Sequence, residues 1–143
     1  MNAHDDTTFP THHAAFPLDG SGSCVSTARG CTLEYLQQYA PRLPDDAAGD
    51  ALVLVSELVT NAVVYAPGPC CLYLVETDSE LTIAVSDTST VAPRPRTPDL
   101  SWGGGFGWHM LCRLARRADV YVRPPWGKTV CATIRLLEPA ACQ

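Results

Sequence analysis

Glu57 and Asn61 stand four residues apart in the run Ser56-Glu57-Leu58-Val59-Thr60-Asn61-Ala62-Val63. On a helix that spacing sends both side chains out of one face, a turn apart. A carboxylate beside an amide, amid valines and leucines, is costly to bury without partners. The pair therefore marks a site, a surface stripe, or a polar contact satisfied inside the fold. Further on, Gly103-Gly104-Gly105-Phe106-Gly107-Trp108 leads straight into a helical pattern. Glycines there let backbone amides approach an anion, and the helix start adds partial positive charge. The run lacks the lysine and hydroxyl of a P-loop and follows no strand, so it serves equally as a hinge. Asp87 lies where an alternating segment ends. It could accept a hydrogen bond from the exocyclic amine of a base, or simply shape a turn. Gly127-Lys128-Thr129 enters the last alternating segment, as a hairpin turn also would.

These positions need elements to hold them. Ala14 to Leu18 reads as a strand closed by Asp19-Gly20-Ser21-Gly22. Ser23 or Ser26 then caps a helix to Tyr39, with Val25, Ala28, Leu33 and Leu36 as its apolar stripe. Pro41 and Pro44 end it. Asp45 or Asp46 opens a second helix to Ala66, stopped by Pro67-Gly68-Pro69. Val53, Val55, Val59, Val63 and Val64 favour strand locally, but the length of the segment favours helix, as does a polar stripe of Asp50, Glu57, Thr60 and Asn61. Cys70 to Glu76 and Leu81 to Ser86 are strands, the second alternating apolar with small or polar residues. Residues 87–105 form a loop rich in proline and glycine, of a length usual for functional loops. Phe106 to Arg117 is a third helix. Strands follow at Ala118 to Val122 and Lys128 to Leu137, around Pro124-Pro125-Trp126-Gly127. The order β-α-α-β-β-loop-α-β-β implies an α+β fold, a two-layer α/β sandwich with a mixed, mostly antiparallel sheet and helices on one face.

Composition narrows the function. A chain of 143 residues has room for one domain, expected over 12–137 between tails at 1–11 and 138–143. Hydrophobic residues make up 46% and charged residues 17%, with a net charge of −5 that disfavours nucleic-acid binding. Arg113, Arg116 and Arg117 are expected on a solvated helix face. The N-terminus, with Asp5 and Asp6 and no basic start, is not a secretory signal. The apolar stretch 51–66, broken by Glu57 and Asn61, is short for a bilayer span. A soluble, cytoplasmic protein is expected. The seven cysteines are an odd number without a CxxC. They read as reduced thiols, and no paired-ligand spacing supports a metal site with His4, His12 or His13.

Taken together, in this order, the four stretches resemble the ATP site of the GHKL superfamily of histidine-kinase-like ATPases. Within it they resemble the stand-alone bacterial anti-sigma-factor serine/threonine kinases. Ser56-Glu57-Leu58-Val59-Thr60-Asn61-Ala62 is similar to the N-box of that group. Ala28-Arg29, Asp87, the glycines running to Leu111, and Gly127-Lys128-Thr129-Val130 are similar to its other motifs. The likeness covers roughly residues 14–136. It implies ATP and Mg2+ as ligands, with Asn61 holding the metal and Glu57 as general base. It further implies that Asp87 reads the adenine amine and that Thr129 supports the base. Gly103, Gly104, Gly105 and Gly107 would cradle phosphates under a lid. The implied partners are a sigma factor and a STAS-domain antagonist, with a homodimer as the family's assembly. A nucleotide-binding adaptor without phosphotransfer is the other reading. The chain departs from the family's pattern in three places. No glycine follows in Asp87-Thr88-Ser89-Thr90-Val91, Tyr65 stands where histidine is common, and Phe106 and Trp108 replace a basic residue and a leucine.

Overall fold

The computed structural model describes residues 12–40, 43–66, 68–92 and 107–136. The expected tails, and most of the loop with Gly103, Gly104 and Gly105, lie outside the described residues. The elements follow the expected order: β1 (His12–Leu18), α1 (Cys24–Tyr39), α2 (Asp45–Tyr65), β2 (Cys70–Glu76), β3 (Glu80–Asp87), α3 (Gly107–Leu114), β4 (Arg117–Arg123) and β5 (Gly127–Arg135). The strands form one five-stranded sheet, β1-β2-β3-β5-β4. Every pairing among the described residues is antiparallel, so no parallel pair enters this sheet.

Strand alternation builds the core. Leu72 and Leu74 of β2, and Leu81, Ile83 and Val85 of β3, point to one face and are buried. Across β3, Val130, Ala132 and Ile134 of β5 share that face in register. Helix α2 covers it, touching β2, β3 and β5 and, on its flanks, α1 and α3. The buried positions Ala51, Leu54, Val55, Leu58, Val59 and Ala62 recur at helical spacing. This stripe explains why a valine-rich segment is a helix: as a strand it would turn half of these side chains to the other face. At 21 residues, with a mean hydropathy of 1.5 over its most apolar window, α2 meets a length-and-composition test for a membrane span. It packs against the sheet and against two helices, with six of its residues buried.

Two boundaries differ from the sequence reading for reasons the contacts show. Helix α3 ends at Leu114, before Arg117, because the Arg116 N–H donates to the Thr133 carbonyl at 2.7 Å and draws the chain into β4. Arg116 and Arg117 therefore leave the helix face expected for them. Both reach Glu80, at 3.2 and 3.8 Å, and only Arg113 stays on α3. Strand β3 extends to Asp87 because that residue pairs with Lys128.

Leu54 is fully buried where α2 meets the rest of the core. Leu54→Ala is expected to lower unfolding free energy by about 2–5 kcal/mol in urea titration. Val64→Ala, on the exposed side of the same helix, is expected to cost less than about 1 kcal/mol.

Candidate functional site

Glu57 and Asn61 are both half-buried on α2. At about 100° per residue they stand roughly a quarter turn or more to one side of the buried stripe centred on Leu58 and Ala62. Leu52 and Ser56 stand on the other side, and α1 lies against them. Arg29 Nη1 donates to Ser56 Oγ at 2.6 Å and to the Leu52 carbonyl at 3.3 Å. The Ser56 hydroxyl donates to that carbonyl too, at 2.8 Å. The flank carrying Glu57 and Asn61 is thus the one turned away from α1. Helix α3, which Gly107 opens, also packs on α2. Burial pushes the Glu57 carboxyl above its ordinary value, which makes it a stronger base when ionised.

Asp87 ends β3 on the helix-covered face, in phase with Leu81, Ile83 and Val85. Its register partner on β5 is Lys128. The ammonium of Lys128 donates to both carboxylate oxygens, at 3.0 Å to Oδ1 and 2.8 Å to Oδ2. Each side chain is 2% exposed. The Ser89 N–H donates to Oδ1 at 2.9 Å. Gly127 makes this approach possible. Its φ is +142°, and a Cβ there would collide with the Asp87 carbonyl oxygen.

Thr129 lies on the other side of β5 from Lys128. One residue on from Lys128, it points to the opposite face of the sheet, where its hydroxyl shares a 2.8 Å hydrogen bond with that of Ser86. The residue on Asp87's face is Lys128, whose signal was the phase of Val130, Ala132 and Ile134.

Two groups of candidate residues are described: Glu57 with Asn61 on α2, and Asp87 with Lys128 on the strands that α2 covers. Among the described residues no group of three or more His, Cys, Asp or Glu side chains is placed to hold a metal ion. Asn61 suits a magnesium ion carried in by phosphate oxygens and water, since Mg2+ commonly takes one or two protein ligands in such sites. The six described cysteines are free thiols. Burial raises Cys70 to about 11, with smaller contributions from Cys24 and Asp87, which keeps it from acting as a nucleophile.

No family model and no curated protein matches the chain. Among solved structures it is similar to the RsbU and RsbW domains of Rv1364c from Mycobacterium tuberculosis, with a TM-score of 0.68 and 23% identity over 92% of this chain. The chain spans 34% of the length of that structure. The likeness establishes the fold.

A carboxyl raised by burial binds its proton more tightly in the folded than in the unfolded chain. Stability from this source is complete below the ordinary glutamate value of ~4.3 and is lost as pH climbs through the shifted one. Glu57→Gln should therefore melt higher than wild type at pH 7, with the difference closing near pH 4. A difference of the same size at both pH values would mean that the charge is not what burial opposes.

Proposed function

We propose that this chain is a protein serine/threonine kinase of the anti-sigma-factor type, which binds a purine nucleoside triphosphate, ATP by resemblance, with magnesium. It phosphorylates a STAS-domain antagonist and holds a sigma factor in the cytoplasm. The observation that carries this reading is the pairing on α2: a half-buried carboxylate with a raised pKa, one turn from an amide, on a helix seated over the strand that ends at Asp87. The shared fold with a structure containing an RsbW domain supports it.

Asn61 holds the metal through its amide oxygen, and Asp87 lies where the base would be read. Magnesium, when bound, neutralises charge on the phosphates and fixes their orientation. Glu57 accepts the proton of the protein hydroxyl as that oxygen attacks the γ-phosphorus, and the nucleoside diphosphate leaves. Its burial favours this role, because a carboxylate whose pKa burial has raised accepts the proton more readily than an ordinary one. Gly103, Gly104, Gly105 and Gly107 are proposed to cradle the phosphates.

The second reading, a nucleotide-binding adaptor without transfer, is favoured by one observation. Lys128 already engages both oxygens of Asp87. Labelled-phosphate transfer to a co-purifying antagonist, run beside a nucleotide titration, separates the two readings. Glu57→Ala is expected to slow transfer about 10²–10⁴-fold while leaving nucleotide affinity largely intact. Asp87→Asn is expected to weaken base binding first. A wild-type protein that binds nucleotide and transfers nothing to its partners would be the adaptor.

A further inference from the structure

Tyr121, Arg123 and Trp126 stand together on the face of the sheet that α2 does not cover. Tyr121 is the register partner of Thr129, and Thr129 that of Ser86. These three share the outer face with Arg123, which lies two residues beyond Tyr121 on β4. They line an open cleft of about 160 Å³, floored by the Ser86–Thr129 hydroxyl pair and flanked by Trp126 from the β4–β5 turn. Apolar space on that scale takes a benzene ring. Trp126 is 80% exposed and Tyr121 53%. Aromatic surface of this size left in water beside a cleft marks a contact site.

The cleft adjoins a sheet edge. Among the described residues β4 pairs on one side only, with β5, so its outer N–H and C=O groups form a row that an added strand can pair with. The other edge strand, β1, carries Pro17, which has no N–H to give, whereas β4 carries no proline. Charge selects the kind of strand. Residues 113–128 hold five of the chain's ten Lys and Arg but one of its fifteen Asp and Glu, in a protein of net charge −5. Lys128 is turned inward to Asp87, and Arg116 and Arg117 reach Glu80. Arg123 is exposed at the cleft itself. We propose that β4 is a docking edge for an extended, acidic segment of a partner protein, which adds a strand to the sheet and seats an aromatic side chain against Tyr121 and Trp126. The outer face of β4 runs Arg117, Asp119, Tyr121, Arg123. An antiparallel partner strand therefore carries acid, aromatic, hydroxyl and acid at alternate positions, with apolar residues between them against Val120 and Val122. This surface lies across the sheet from Glu57 and Asn61 and stands whether or not the nucleotide reading does.

The probe is an end-blocked, fluorescein-labelled heptapeptide of that order, Glu-Val-Phe-Val-Thr-Val-Glu, titrated with the full chain and read by fluorescence anisotropy. Wild type should bind it. Trp126→Ala should weaken binding about tenfold, the loss expected of an aromatic anchor. Arg123→Glu in the protein, or lysine for both glutamates in the peptide, should each weaken it at least about threefold. Both protein positions are exposed, so both variants should melt with wild type. Amide cross-peaks of residues 117–123 should shift on adding peptide. No saturable binding up to roughly 1 mM peptide overturns the proposal. So do folded variants that bind like wild type, a lysine peptide that binds as well as the glutamate one, or shifts confined to α2 or β1. Should either variant melt below wild type, the cross-peaks and the lysine peptide decide.

Discussion

Asp87 and Lys128 face each other at the end of the β3–β5 ladder, 2.8 Å apart and shut away from water. A buried charge with no partner is costly, and removing one member of such a pair commonly costs about 3–5 kcal/mol. The pair thus lets the ladder run out to Asp87 inside the fold rather than fray into the loop that follows. Gly127 is part of the same contact, because only a residue without a side chain brings the start of β5 this close to the Asp87 backbone. The apolar face inward of the pair, from Val85 and Val130 back to Leu81 and Ile134, follows in register. Helix α2 rests on that face.

The helix answers a different constraint. Its inner stripe is fully apolar, and its two flanks are specialised. One is tied to α1 through Arg29 and Ser56, which fixes the helix about its own axis. That fixed rotation holds Glu57 and Asn61 on the opposite flank, partly withdrawn from water. The same withdrawal that raises the Glu57 carboxyl makes its ionised form a burden on the fold. A residue kept for packing alone would be better as glutamine there. Stability given up at a position where proton transfer is plausible is a common mark of a working site.

Much of this was legible in the sequence. Helix α2 was readable despite its valines because length and the polar stripe of Asp50, Glu57, Thr60 and Asn61 outweighed local propensity, and β2 fell on its expected residues. The Glu57–Asn61 pairing needed only helical arithmetic. The end of α3 was not readable, since it is set by a strand contact between Arg116 and Thr133, far apart in the chain. The inward place of Lys128 was not readable for a different reason. The phase of β5 was present in Val130, Ala132 and Ile134, but a lysine is seldom placed inward unless a carboxylate is known to face it. That pairing depends on register between strands separated by the whole of α3, which no local pattern specifies.

The central claim is that α2 and the β3–β5 end form a site for a magnesium nucleotide, and its most direct test is thermal unfolding with and without that ligand. With free Mg-ATP at about a hundred times its dissociation constant, the folded state should gain ~2.7 kcal/mol. Asn61→Ala should lose most of that gain at the same concentration. An unchanged melting temperature for wild type in saturating Mg-ATP would contradict the account.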